Sequence, residues 1–370
     1  MAYMDEKSFK KHISSKKFNN IYVIFGNEKY LVKFYTRELT TAVAGKEPSD
    51  FAYHEFSSDL SLQTLADAVG MVPFMAEYNC VLVKDFNPNK LSENEYKSLI
   101  EILKEVPLST VVIFSYPNDT ITSSKKSEDK KDEEKDGEEK KEKNRFKTFC
   151  NAVDKMGMGA VAEINMRTAT SLEHQLVKWA DKMGKKLSLP IASKIIYFCS
   201  NDLSVLKMEL EKVCAYAGDS DEITMEMIEA TVVKKLEAKV FDMVDNVIYG
   251  NANKAYTELH QLFAMREDPH GIVRLLGMAY VDLYRARVTE ESGRVLKDTA
   301  EFFKYGSREW VLHKAPQKSR KITTNGLRES LGVIIDLSEK LNSVSINQEA
   351  AVEKLIADLL LIAVKERNNA

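Results

Sequence analysis

The sequence predicts an α/β fold with a parallel sheet, followed by all-α structure. Up to about residue 166, short runs of β-branched and aromatic residues alternate with amphipathic, helix-like segments. From residue 170 onward strand-like runs vanish, and apolar residues recur at intervals of three and four, as on one face of a helix. The 370 residues also exceed what a single hydrophobic core usually supports, which favours two or three domains.

Five strand-like runs support the parallel sheet. They are IYVIF (21–25), FAYHEF (51–56), CVLVKDF (80–86), TVVIFSY (110–116) and GAVAEI (159–164). Helical periodicity occupies 61–69 and 93–106 between them. This alternation is typical of a parallel sheet that is covered by helices.

A charged segment, residues 122–145, is predicted to lie between the fourth and fifth strands. From Ser123 to Arg145 it has nine acidic and nine basic residues and no apolar one. Nothing in this composition offsets the entropy lost on ordering, so we expect a mobile, solvated surface insertion. An electrostatic tether for a partner is the alternative.

Capping signals delimit the next helices. We predict a capping box in which Thr170 and Glu173 satisfy each other's backbone amides, with Met183 on the apolar side of that helix. Pro190 is expected in the first turn of a second helix, and Asp202 is expected to cap a third.

The last third of the chain predicts a helical bundle. Its three amphipathic segments carry apolar stripes at Val240, Val244, Val247 and Ile248, at Leu327, Leu331, Ile334, Ile335 and Leu341, and at Val352, Leu355, Ile356, Leu359, Leu360 and Ala363. We therefore divide the chain into an α/β domain (1–166), a small helical domain (167–236) and a larger helical domain (237–370).

The composition is that of a soluble globular protein. Hydrophobic residues make up 44% and charged residues 29%, and the net charge of −3 does not favour a nucleic-acid or membrane protein, so any basic surface must be local. The four cysteines form no CxxC pair and the six histidines show no ligand spacing, so we expect buried, reduced thiols and no metal site. Without a signal-like segment or a run of about 18 apolar residues, the expected location is cytoplasmic.

A phosphate loop would be expected after the first strand, where GNEKYLVKF begins. A working loop reads G-x-x-x-x-G-K-[ST], in which the glycines admit the phosphates, the lysine neutralises them and the hydroxyl holds magnesium. Aligned from Gly26, those later positions are Leu31, Val32 and Lys33, and each fails. The acidic strand end that would help to hold magnesium offers only Asp85. We predict no ATPase chemistry, no cofactor and, since other enzyme motifs are lacking, no intrinsic catalysis.

Four segments together resemble the delta subunits of bacterial DNA polymerase III clamp loaders, over essentially the full length of the chain. They are IYVIFGNEKYLV, VPFMAEYNCVLVKDF, SNDLSVLKMELEKVCAYAG followed by EIT, and KVFDMVDNVIYGNANKAYTELHQLF. The resemblance lies in their order and spacing more than in any one of them.

The resemblance implies an architecture and a role. The α/β domain would be AAA+-like with its nucleotide site lost, the small helical domain a lid, and the C-terminal domain a collar for oligomerisation. The role implied is to bind the beta sliding clamp and open it for loading onto primed DNA. Energy would come from ATP held by the gamma/tau subunits, with delta-prime as a further partner. The chain would be a non-catalytic part of a DNA-directed DNA polymerase, which is a nucleotidyltransferase.

The clamp-contacting residues of the family carry over to Val72, Pro73, Phe74 and Met75, with Phe74 as the anchor. A proline-stiffened loop that presents an aromatic ring and a thioether suits an apolar pocket, because little order is lost on docking. The alternative is that Phe74 and Met75 pack beneath the first domain.

A basic segment of the predicted collar suggests a DNA contact. In YGSREWVLHKAPQKSRK (305–321), cations and aromatic rings occur together, which suits phosphate contacts and base stacking. The candidate residues are Arg308, Trp310, Lys314, Lys318, Arg320 and Lys321. A solvated helix face beside a core tryptophan is the alternative.

Two other functions stay open at the level of sequence. One is a divergent ATPase that still turns over nucleotide despite the degenerate loop. The other is a scaffold of AAA+ descent that binds a partner other than the clamp. Nucleotide binding by the isolated chain separates the first from the remaining hypotheses, and clamp binding separates the second.

Overall fold

The computed structural model describes residues 3–74, 76–118 and 145–368, and it divides into two compact units, Met1–Met166 and Arg167–Ala370. The division into three domains that we predict from the sequence stays a prediction. The charged segment falls in 119–144, outside the described residues, apart from Arg145.

The first unit is built on a five-stranded parallel sheet. Its strands are β1 (Ile21–Phe25), β2 (Tyr53–Phe56), β3 (Asn79–Lys84), β4 (Thr110–Tyr116) and β5 (Gly159–Glu163), in the spatial order β2-β3-β4-β1-β5. The register pairs Tyr22 with Ile113 and with Ala160, and Tyr53 with Cys80. The predicted fold class, a parallel α/β sheet followed by helical structure, is confirmed.

Helices cover both faces of this sheet. They are α1 (Glu6–Ser14), α2 (Lys29–Ala44), α3 (Leu62–Val69), α4 (Glu93–Lys104) and α5 (Arg145–Lys155). One face of the sheet packs against α3, α4 and α5 around Val23, Val112 and Phe114. On the opposite face, Tyr22 of β1 contacts Phe9 of α1. Successive residues of a strand point to opposite faces, so the central strands are buried on both sides and read as continuous apolar runs.

Helices make up the regular secondary structure of the second unit among its described residues, apart from an isolated β-bridge between Lys186 and Glu222. Its helices are α6 (Ala169–Lys182), α7 (Leu189–Cys199), α8 (Leu203–Tyr216), α9 (Met225–Thr231), α10 (Leu236–Ile248), α11 (Ala252–Ala264), α12 (Pro269–Glu291), α13 (Leu296–Phe302), α14 (Glu309–Lys314), α15 (Pro316–Ser319), α16 (Thr324–Ser343) and α17 (Gln348–Asn368). A hydrophobic core of this unit joins α10, α11, α12, α16 and α17. Within the ranges that the structure covers, no helix combines the length and the apolar character needed to cross a bilayer.

Two local predictions for this unit are wrong. The cap of α6 is Thr168, whose side chain accepts a hydrogen bond from the Ser171 amide, so Thr170 lies inside the helix rather than at its cap. Both threonines can cap, and the earlier one does so because the helix begins at Ala169. Met183 and Ile335 are also exposed rather than packed, Met183 at the end of α6 and Ile335 one residue, about 100° of rotation, past the buried Ile334.

Candidate functional site

The loop between α3 and β3, residues 70–78, presents apolar side chains to solvent. Val72 is 83% exposed and Phe74 is 63% exposed, while Pro73 is partly buried. The alternative that Phe74 packs beneath the first domain is therefore wrong. Met75 lies outside the described residues, so its part in the surface stays a prediction.

A second aromatic ring, which the sequence did not indicate as functional, stands beside Phe74. The ring centroids of Phe51 and Phe74 are 6.2 Å apart, with planes at 77°, an edge-to-face contact. Phe51 is 70% exposed. Its only sequence signal is its place at the start of the strand-like run FAYHEF, where it looks like a core residue.

Buried polar groups fix both ends of the loop. The Asn79 side chain donates to the Ala68 carbonyl at 2.8 Å, and the Thr110 hydroxyl donates to the Val69 carbonyl at 3.0 Å. The side chains of Asn79 and Thr110 are fully buried, where such bonds are expensive to break. The loop therefore has rigid ends and an exposed apolar tip.

The degenerate phosphate loop lies at the other edge of the sheet. Parallel strands begin at one edge and end at the other, and the loop 70–78 precedes β3 whereas Gly26 follows β1. Gly26 has φ +147°, and a Cβ there would lie 1.9 Å from the Ile164 carbonyl oxygen. Packing against the strand end after β5 is thus enough to require this glycine, without any phosphate.

The positions that should bind phosphate serve other purposes. Leu31 and Val32 are buried in the core, with exposures of 4% and 0%, and Lys33 is exposed on α2. At the start of α2, the carboxylate of the buried Glu28 accepts a hydrogen bond from the Tyr30 amide at 3.3 Å. The N-terminus of a helix can attract an anion, and at α2 the Glu28 carboxylate of this chain already occupies that position.

Asp85, at the end of β3, is held by its neighbours. Its backbone has φ +54°, its amide donates to the Ser115 carbonyl at 2.9 Å, and its carboxylate accepts from the Asn118 side chain at 2.8 Å. These contacts describe a strand-end turn.

The basic segment of the second unit is largely neutralised by carboxylates. Three of its cations form ion pairs, which join Arg308 to Glu237 (3.1 Å) and Asp282 (3.5 Å), Lys318 to Asp245 (2.6 Å) and Arg320 to Glu290 (2.7 Å). DNA phosphate would have to compete with these acids for three of the predicted contacts.

Burial shapes the electrostatics of the same segment. It raises the pKa of Asp245 and of Asp282, and it lowers the pKa of Lys314, whose ammonium lies 5.4 Å from the centre of the Tyr197 ring. Lys321 is exposed, and the side chain of Trp310 lies outside the description. A DNA contact by this segment stays a prediction.

Comparison with known proteins gives one consistent family. Residues 22–135 match the family described as "DNA polymerase III, delta subunit", and residues 237–359 match "DNA polymerase III delta subunit, C-terminal domain". A curated relative, DNA polymerase III subunit delta of Bacillus subtilis, is 24% identical over 295 residues, 77% of each chain. The probable DNA polymerase III subunit delta of Aquifex aeolicus is 22% identical over 144 residues, 39% of this chain and 41% of the relative.

A solved structure extends the likeness to the fold. The Bacillus subtilis DNA clamp loader delta protein aligns with a TM-score of 0.59 at 19% identity, and the alignment covers 95% of this chain and 98% of that one.

Proposed function

The chain belongs to the DNA polymerase III delta subunit family, and from that premise we propose that it binds the beta sliding clamp and opens the ring for loading onto primed DNA. Its place as a clamp-loader subunit in DNA replication follows from the family. Clamp binding and ring opening are the proposal.

The observation that carries the proposal is the exposure of Phe74 on an anchored loop. A soluble protein that leaves such a ring 63% exposed forgoes about 1.5–3 kcal/mol of burial unless a partner covers it. Because the loop ends are fixed by Asn79 and Thr110, little conformational entropy is lost when the tip docks.

We further propose that the chain does not use ATP itself. Leu31 and Val32 point into the core, and the Glu28 carboxylate would repel a triphosphate at the start of α2. These contacts oppose the hypothesis of a divergent ATPase. The energy for loading then comes from the gamma/tau ATPase subunits, which we propose as partners together with delta-prime.

The test is clamp capture. We expect Phe74→Ala combined with Met75→Ala to abolish binding to the immobilised beta clamp of the same organism, because the apolar tip is lost. Phe302→Ala is the matched control, since Phe302 is 78% exposed in the second unit and also makes an edge-to-face pair, with Phe303. Assembly with gamma/tau and delta-prime should survive the double substitution.

Two results would contradict the proposal. Unchanged clamp affinity of the double variant would remove the loop from the interface. A chain that assembles with loader subunits but ignores the clamp would instead support the scaffold hypothesis.

A further inference from the structure

Exposed apolar side chains of the first unit are concentrated at one edge of its sheet. Among the residues described there, the large hydrophobic side chains that are exposed are Phe34, Phe51, Met71, Val72, Phe74, Leu108 and Met166. Five of these seven lie in the connections that lead into strands β2, β3 and β4, which are neighbours in the sheet. We call this set, Phe51, Met71, Val72, Phe74 and Leu108, the amino-edge surface.

Parallel pairing explains why three separate loops meet there. Since Tyr53 pairs with Cys80, and Asn79 pairs with Thr110, the starts of β2, β3 and β4 lie side by side. Neighbouring strands are about 4.8 Å apart, so side chains that precede them fall within reach of one partner surface.

Hydrogen bonds also hold the backbone around Phe51. The Phe51 amide donates to the Ser49 hydroxyl at 3.3 Å, the Ala52 amide donates to the Ser49 carbonyl at 2.9 Å, and the Cys80 amide donates to the Ala52 carbonyl at 2.8 Å. Phe51 is thus fixed between a turn and the sheet while its ring is 70% exposed.

Leu108 is fixed in a similar way. The side-chain amide of the largely buried Asn20 donates to the carbonyls of Pro107, Leu108 and Thr110 at 3.1, 3.1 and 2.9 Å. The turn before β4 is therefore rigid, and it holds a leucine that is 82% exposed.

We infer that the clamp-docking surface comprises all three loops, with Phe51 as a second aromatic anchor that touches the clamp directly and Leu108 at its margin. The inference rests on the proposed function, because it assumes that Phe74 docks on the clamp. The rings of Phe74 and Phe51 make an edge-to-face contact, and Phe51 stays 70% exposed with Phe74 in place. The ring centres of Phe51 and Phe74 are 6.2 Å apart. A partner that binds Phe74 therefore lies close enough to contact Phe51 as well.

Clamp affinity of single and double variants tests the inference. We expect Phe51→Ala to weaken binding about tenfold, as for an aromatic anchor, and Leu108→Ala to weaken it less. Adding Phe51→Ala to Phe74→Ala should weaken binding further, since each ring makes its own contact. Phe302→Ala should bind within about twofold of the unaltered chain, and thermal unfolding should show that every variant is folded.

The outcomes distinguish this inference from the proposed function. If Phe74→Ala weakens binding while Phe51→Ala and Leu108→Ala bind as the unaltered chain does, the proposed function stands and the inference is overturned. If Phe51→Ala has no effect once Phe74 is absent, Phe51 only positions Phe74, and the direct contact is refuted. If the unaltered chain does not bind the clamp, the proposed function fails and the inference fails with it.

Discussion

Gly26 stands where a phosphate loop would begin, but backbone packing alone accounts for a glycine at this position. It starts the sequence GNEKYLVKF, where a phosphate loop is expected, yet the atom nearest to a hypothetical Cβ is the Ile164 carbonyl oxygen. The Ile164 amide donates to the Phe25 carbonyl, and its carbonyl accepts from the Glu28 amide. The glycine therefore allows the backbone after β1 to lie directly against the backbone of Ile164, which follows β5.

We predict that Gly26→Ala destabilises the first unit by about 3 kcal/mol, because the methyl group would push the chain away from Ile164 and break these bonds. Gly45→Ala is the control: Gly45 also has positive φ, at +88°, but a Cβ there would meet nothing within 4 Å, so only the conformational cost of about 1–2 kcal/mol is expected. Urea unfolding of both variants measures the difference. Equal losses would show that the Ile164 contact is unimportant.

At the scale of elements, helices α10 and α11 bring carboxylates together. Glu258 of α11 accepts a hydrogen bond from the Asn246 side chain at 3.0 Å and lies near Asp242 and Asp245 of α10. Burial is the main cause that raises the pKa of Glu258, and those two acids raise it further. Lys318 and Lys234 offset part of this charge through Asp245 and Asp242.

The raised pKa of Glu258 determines how the stability of the folded protein changes with pH. The folded protein binds the Glu258 proton more tightly than the unfolded chain does. The contribution of this proton to folding stability is therefore fully present below the ordinary pKa of 4.5, and it is lost as the pH rises through the pKa of the folded state. We predict that Glu258→Gln gains stability relative to the unaltered chain at neutral pH, and that the gain shrinks as pH falls towards 4.5. Urea unfolding across this range measures it, with the exposed Glu229→Gln as control; a gain that grows on acidification would refute the sign.

Strands and helix caps could be predicted where residues close in sequence determine them. The prediction failed where contacts between residues distant in sequence determine the structure. The five strands are readable because parallel strands buried on both faces are continuously apolar, and Asp202 caps α8 as expected because an N-cap needs only the next three residues. The choice of Thr168 over Thr170 could not be read in this way. Phe51 was missed because its contact with Phe74 depends on β2 lying beside β3, a pairing that no local pattern specifies.

For the whole molecule, the amino-edge surface belongs to the first compact unit and the paired charges of the basic segment belong to the second. Their sequence signals differ in strength. Phe74 was identified through family resemblance and is exposed in the structure, while its clamp contact stays a prediction. The ion pairs of the basic segment were not visible in the sequence because Glu237, Asp245 and Asp282 are distant from it in the chain. Ion pairing of this kind is a tertiary property.

We predict that Mg-ATP leaves the thermal midpoint of the isolated chain unchanged, because a ligand that does not bind the folded state cannot stabilise it. Differential scanning calorimetry with millimolar Mg-ATP, and with magnesium chloride alone as control, measures this. A rise in the thermal midpoint with Mg-ATP but not with magnesium chloride would contradict the proposal that Glu28, Leu31 and Val32 prevent nucleotide binding.

The two edges of the sheet have a consequence for descent. Strand β1 alone, at about 3.3 Å per residue over five residues, sets Gly26 roughly 16 Å along the sheet from the rim where β1 begins. The residues of the amino-edge surface lie before strands whereas Gly26 follows one, so a substitution next to Gly26 changes none of the residues in that surface. Under the proposed function, a chain of this fold can therefore lose nucleotide binding at one end of its strands without altering the surface that binds the clamp at the other end.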